Sequence, residues 1–465
     1  LLTSGGDCAE LAHHFAAGGD AAEGGEHALT AADEALARHL LDDAEHFMRL
    51  AMRAGTVEQK SLAAGRLARF LVKLGRTAEV DEPISLLQRS PHDSELLRAI
   101  VDFENSVANE IGSSDDLHRK VSRILELALD SPDPDWIPIA STLFDIALDA
   151  ATRQLGDQVL HTLETWDSTV ASPEVRLQMK AFGAAWIGIT RGFDSGLKHL
   201  EPWFAQLVPS MSGSTHALYY NVRGMLNLLA GMPVRARQDL VESLTYSDKA
   251  GDLRRSAAAT LNLSIAVMEL GEHEAAQNRL VTMMNHPNLH FKVRSHANMA
   301  LLHLENGNFT LASAVSHRLL SLSNAYGSKS FRRVANAIIG TASIEAGSTA
   351  VALSHAEAVA VDMHLDDLVD TNYVTEFVAR AKLIEGKSEE CLSLIDQGLD
   401  RSMERDRLAH MRLLCAKAEM LMLIGRSAPD AHQIVRDVFS TASANGAVLI
   451  MRRCERLLSA FRMAE

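Results

Sequence analysis

Through the second half of the chain, apolar positions recur at three- and four-residue spacing, the period of one face of a helix. Each such run stops at a glycine and restarts at once. The junctions read LNLLAGMPVRA at Gly231, VMELGEHEAA at Gly271, LHLENGNFTLA at Gly307, SIEAGSTAVA at Gly347, KLIEGKSEEC at Gly386 and LMLIGRSAPDA at Gly425, with successive spacings of 40, 36, 40, 39 and 39 residues. Every unit therefore predicts two helices joined by a tight glycine turn, followed by a connector of variable length.

Further columns move with the glycine. Seven residues before it stand Gly224, Ser264, Ala300, Gly340, Ala379 and Ala418; five after it stand Ala236, Ala276, Ala312, Ala352 and Cys391, with Ala431 one residue late. Small residues at these points let the two helices of a hairpin approach closely, and the glycine supplies the left-handed backbone that closes the first helix. Leu228, Met268, Leu304, Ile344 and Met422, three residues before the glycine, and Leu240, Leu280, Ser316, Ala356, Ile395 and Ile434, nine after it, supply much of the buried stripe.

This small–Gly–Ala arrangement resembles the tetratricopeptide repeat with lengthened connectors, over residues 175–440. Aliphatic residues replace most of the family's aromatic positions. Weaker copies of the turn extend upstream at Gly75, Gly112, Gly156 and Gly192. Eight of the eleven prolines fall between Pro83 and Pro209, where less regular hairpins are expected. The resemblance implies an all-α, right-handed α-solenoid of about 11–12 hairpins. Its expected divisions are helical repeats over 1–80, irregular repeats over 81–210, regular repeats over 211–440 and a capping helix over 441–465.

Composition agrees with an all-α chain. Of 465 residues 47% are hydrophobic, yet only 14 Phe, 5 Tyr and 4 Trp are aromatic, which suits close-packed helices better than sandwiches or barrels. A net charge of -15 argues against broad contact with nucleic acid or anionic lipid. Cys8, Cys391, Cys415 and Cys454 form no CxxC pair and are too scattered for a disulfide framework, so a reducing cytoplasm is expected. No apolar stretch approaches the ~18 residues of a membrane span. Because the chain begins at Leu1, the expectation is a piece of a longer protein.

Catalytic chemistry is not evident. Gly386-Lys387-Ser388 carries only the tail of a phosphate-binding loop and occupies a hairpin turn, while GxSxG, HExxH and EF-hand patterns are missing. The histidines at 286, 290, 296 and 303 lack acidic or cysteine partners at metal-ligand spacing and read as surface or packing residues. No catalytic residue, metal or cofactor is assigned, and an enzyme is not expected.

The inner faces of the hairpins are more informative. Asn262 and Asn298 both stand nine residues before their glycines, Asn221 ten before and Asn336 eleven before. An asparagine offers a donor and an acceptor together, the combination that holds a peptide backbone or a sugar hydroxyl. Tyr220, Arg294, Arg333, Tyr373, Glu376, Arg380, Arg412 and Glu419 fall on the same faces. Two readings stand side by side: a ligand groove across residues 217–385, or a wet polar surface in which asparagines bridge neighbouring helices.

At the amino end, Glu10-Leu11-Ala12-His13-His14-Phe15, then Gly19-Asp20, an alanine-rich helix from His27 to Arg38 and the run Asp42-Asp43-Ala44-Glu45 form a second pattern. It resembles the entry to the helical-repeat arm of signal-transduction ATPases with numerous domains, and is similar to the LuxR-type, maltose-regulon-activator family. That resemblance implies a sensor arm that binds a small-molecule or peptide effector or a regulatory protein. The ATPase module would lie upstream and a DNA-binding helix-turn-helix downstream, so this region itself would touch neither nucleic acid nor membrane, with self-association open. The alternatives are a free-standing docking scaffold and a peptide-pheromone receptor. Arg452, Arg453, Arg456 and Arg462 on the last helix read as a solvated face.

Overall fold

The computed structural model describes residues 7–37, 40–73, 76, 79–88, 95–109, 119–124, 126–127, 153–166, 173–286, 288–326, 328–362, 371–425 and 428–464. Among these residues every regular element is a helix. The amino-terminal part comprises α1 (Cys8–Gly18), α2 (Ala21–Ala37), α3 (Leu41–Ala54), α4 (Val57–Lys73), α5 (Asp81–Gln88) and α6 (Glu95–Asn109). Then come α7 (Arg153–Trp166), α8 (Pro173–Arg191), α9 (Phe193–Leu200) and a short 3-10 helix, Glu201–Gln206. The regular hairpins follow: α10 (Gly213–Leu229), α11 (Pro233–Lys249), α12 (Leu253–Glu269), α13 (His273–Met284), α14 (Leu289–Glu305), α15 (Phe309–Tyr326), α16 (Lys329–Glu345), α17 (Thr349–Asp362), α18 (Thr371–Ile384), α19 (Ser388–Ser402), α20 (Arg407–Ile424), α21 (Ala428–Asn445) and α22 (Val448–Ala464).

The glycine columns do what their positions predict. All six turn glycines have φ between 71° and 78°. At Gly271 the N–H bonds the Met268 carbonyl and the next N–H, of Glu272, reaches back to Val267, so the last carbonyls of α12 are satisfied before the chain reverses. The small column is a crossing point: a Cβ on Gly224 would lie 2.6 Å from Leu240 Cγ, and one on Gly340 would lie 2.1 Å from Phe377 Cζ. Upstream, Gly192 is a turn with φ 117°, whereas Gly75 and Gly112 lie outside the described residues. Gly156 corrects the expectation. It sits inside α7, where the Trp186 indole from α8 packs so closely that a Cβ would meet its ring at 2.3 Å.

From α10 onward each even-numbered helix packs on the next even-numbered one as well as on its hairpin partner, so these helices form the inner layer. This is a tetratricopeptide-like α-solenoid, and it is wound tightly enough that its own turns meet. Inner helices five hairpins apart touch, α10 against α20 and α12 against α22. At the seam Arg407 and Met411 cover Gly231, Val448 and Arg452 cover Gly271, and Leu41 covers Gly251. The apolar core follows: Leu228, Leu261, Met268 and Leu302 belong to the same buried cluster as Leu408, Met411, Val435, Ile450 and Leu457. An open solenoid buries apolar surface only against sequence neighbours. Here the second half also buries it across the turn.

Candidate functional site

Two groups of polar side chains occupy the inner layer. The first lies about midway along α10, α12 and α14. Asn262 donates from Nδ2 to Asn221 Oδ1 at 3.0 Å, joining α12 to α10. Asn298, one hairpin on, is 8% exposed, and its Nδ2 has no partner. Arg294 stands four residues before it, on the same face of α14, half-buried and with no ion pair or hydrogen bond to any described residue. A buried amide donor such as that of Asn298, without a partner among the described residues, is costly to leave unpaired.

The second group is ionic and closed. Arg412 on α20 reaches across the turn to Glu269 at the end of α12, a contact between residues 143 apart in sequence, and lies 3.5 Å from Glu305 on α14. The Tyr373 hydroxyl on α18 donates to the same Glu305 at 2.8 Å, and its ring lies 5.4 Å from the Arg412 guanidinium. Beside this set, Arg453 on α22 donates twice to Glu376, at 2.9 and 2.6 Å, and once to Glu419, at 3.2 Å. Arg380 bridges Glu345 at 2.8 Å, Glu419 at 2.7 Å and Glu376 at 3.3 Å. Six consecutive inner helices thus converge on one cluster of three arginines, five glutamates and a tyrosine.

The cluster holds more negative than positive charge, and its ionisation reflects that. Burial pushes the Glu269 carboxyl above the usual carboxylate range; Arg412 pulls it back, while Glu305 adds to the rise. Its second oxygen has no hydrogen-bond partner. Burial opposes the charge of Glu376 too, but Arg453 and Arg380 outweigh it and hold that carboxyl below its ordinary value. For Arg412 burial acts against the cation, yet Glu269, Tyr373 and Glu305 hold it firmly protonated. Tyr373 is driven far above the ordinary phenol range, first by burial and then by the neighbouring carboxylates.

Of the residues expected on the groove, Asn221, Asn262, Arg294 and Asn298 fall in the first group and Tyr373, Glu376, Arg380 and Arg412 in the second. Arg333 and Asn336 do not face an open groove. Arg333 is 3% exposed and donates to Ser330. Asn336 is turned toward the outer helix of its own hairpin, where its Oδ1 meets His355 Nδ1 at 2.9 Å. Glu269, Glu305, Glu345 and Arg453 were not anticipated as site residues. The three glutamates had a readable signal, since each stands two residues before the turn glycine in consecutive hairpins. Arg453 had none: three arginines of the last helix are exposed as expected, and this one points inward.

Among the described residues no cluster of His, Cys, Asp or Glu could hold a metal ion, and no helix is long and apolar enough to cross a membrane. No protein-family profile matches the chain, and no curated protein matches it. Solved structures do. The chain is similar to the APC/C hetero-tetramer Cut9-Hcn1 at 12% identity, over 96% of this chain and 89% of that one, with a TM-score of 0.54. A Rap protein complexed with competence and sporulation factor aligns at 10% identity over 88% of this chain and 100% of that one, TM-score 0.48. A signal-transduction ATPase with a tetratricopeptide repeat sensor from Pyrococcus horikoshii aligns at 12% identity over 95% and 76%, TM-score 0.42. The first of these likenesses supports the fold.

Proposed function

We propose that this chain is a non-enzymatic, effector-sensing helical-repeat arm, in which α10, α12 and α14 hold a peptide or small acidic effector and the ionic cluster reports its presence. The observation that carries the reading is the buried Nδ2 of Asn298, unpartnered among the described residues, with the half-buried Arg294 one turn before it on α14, beside the Asn221–Asn262 bridge. A carboxylate would take Arg294, and a peptide group would take the amides as donor and acceptor at once. An effector so held spans three hairpins and favours one winding of the superhelix, which shifts the equilibrium between closed and opened turns. The amino-terminal resemblance supports placing the arm in a cytoplasmic regulator of the signal-transduction ATPase, LuxR-type class, with its nucleotide and DNA modules elsewhere.

The test uses the whole chain. A pool of short peptides and small dicarboxylates is screened for a rise in melting temperature, and the hits are titrated by calorimetry. Changing Asn262 and Asn298 to Ala together, and separately Arg294 to Gln, should weaken the best hit about tenfold or more, roughly 1.4 kcal/mol, with helicity unchanged. Unaltered affinity in both variants would sink the assignment. A chain that responds to no small ligand and only to a folded protein partner is a docking scaffold instead.

A further inference from the structure

Two of the four cysteines meet inside the superhelix. Cys415 on α20 and Cys454 on α22 are both fully buried, and their sulfurs are 3.6 Å apart. Their separation in sequence is 39 residues, one repeat, so they occupy matching positions on adjacent inner helices. Counted from the turn glycine, the earlier hairpins hold Asn221, Leu261, Ala297, Ala337 and Glu376 at the position of Cys415, so the thiol pair is particular to the last two inner helices. About 1.5 Å of sulfur movement separates this 3.6 Å contact from a bond of about 2.05 Å.

The surroundings favour reaction over inert packing. The two thiols share a hydrogen bond in which either sulfur can donate; that contact, with Arg453 and Arg412, holds Cys415 below the ordinary thiol range against burial and Glu376, while the same contact and burial push Cys454 up. Cys391, buried among apolar residues without such neighbours, is pushed up. Cys8, half-buried near Glu34, is pushed up too, first by burial.

We infer that Cys415 and Cys454 are a redox-reactive pair that a small peroxide converts to a disulfide, fastening α20 to α22. The steps balance. The Cys415 sulfur attacks one oxygen of hydrogen peroxide, the O–O bond breaks, and the released hydroxide takes the thiol proton as water, leaving a sulfenic acid. The Cys454 sulfur then attacks Cys415, the S–O bond breaks, and hydroxide leaves with the second thiol proton as another water. Two thiols lose one electron each and one peroxide is reduced to two waters. Cys454 directly follows Arg453, and Cys415 lies one turn from Arg412, so the bridge pins both arginines of the ionic cluster.

The experiment exposes the full chain to graded hydrogen peroxide, quenches with catalase, unfolds and alkylates, and then maps peptides without reduction. The expected product is a chain lighter by two hydrogens in which tryptic peptides 413–417 and 454–456 are joined, with a raised melting temperature that dithiothreitol reverses. Cys415→Ser and Cys454→Ser should each abolish the joined peptide, and Cys391→Ser should leave it. If a serine variant folds poorly, alanine, the residue at this position in two of the earlier hairpins, replaces it. Should Cys8 be oxidised while Cys415 and Cys454 both remain alkylatable, or should the joined peptide form without a change in melting temperature, the inference is overturned.

Discussion

Changing Arg412 to methionine keeps an unbranched stem as far as the position of Nε and deletes the charged head, which removes the ion pair across the turn. Glu269 is only 1% exposed, and one of its oxygens already lacks a partner. Without Arg412 the other oxygen is orphaned as well, and removing one member of a buried pair costs about 3–5 kcal/mol. A stranded acid limits its own penalty by taking up a proton, and each unit of pH is worth about 1.36 kcal/mol. Burial and Glu305 already raise the Glu269 carboxyl, so the cost should be largest near neutral pH. By about pH 5 it should shrink to about 1–2 kcal/mol, the loss of hydrogen bonds alone. Urea unfolding followed by circular dichroism at both pH values gives the difference, and hydrogen exchange in α12 and α20 localises it. Combining Arg412→Met with Glu269→Gln should recover about half or more of the loss, because no buried charge is then left unpaired. A cost below about 1 kcal/mol at neutral pH, or an equal cost at both pH values, would refute the claim that Arg412 neutralises a buried acid.

Other expectations follow from single positions. Gly340→Ala, a helix-stabilising change of about 1 kcal/mol elsewhere, should instead destabilise by about 1–3 kcal/mol, since the new methyl meets the Phe377 ring; Phe377→Leu in the same chain should restore most of the urea midpoint. Gly347→Ala has open space around it but φ 74°, so it should cost about 1–2 kcal/mol, measured the same way. The two acids of the cluster titrate with opposite sign. Glu376, held low in the folded chain, stabilises above the ordinary carboxylate value, and that contribution is lost as pH falls through its lowered one. Glu269, held high, is best tolerated below the ordinary value, and stability declines as pH rises through its raised one. Glu269→Gln should therefore flatten the decline on the alkaline side of a stability–pH curve and leave the acid limb unchanged.

How much of this was legible in the sequence depends on distance along the chain. The hairpins were, because glycine turns, the small column and the buried stripe are local features that repeat. Gly156 misled because a glycine inside a helix, cleared for the Trp186 ring, looks the same in sequence as a glycine ending one. Membership of the inner face was legible for Asn221, Asn262, Arg294 and Asn298 by counting from the turn. For Asn336, one or two residues further from its glycine, the same count led onto the face that meets His355. The pairing of Arg412 with Glu269 was not legible, since it depends on superhelical pitch, a sum of small rotations over four hairpin steps that no single connector encodes. Arg453 looked like its exposed neighbours Arg452 and Arg456 because nothing local shows that α22 lies over α12.

The contact across the turn also sets a schedule for the growing chain. Glu269 leaves the ribosome 143 residues ahead of Arg412, which at ordinary elongation speeds is a wait of roughly 7–30 s. Within that interval α10 to α14 gain their hairpin partners but not yet α20 and α22, so the apolar seam of Leu261, Met268 and Leu302 is uncovered until those helices follow. The nascent protein is thus an open coil that snaps shut late. Its vulnerability to chaperones, proteases and other nascent chains is concentrated in the stretch of translation before α20 emerges.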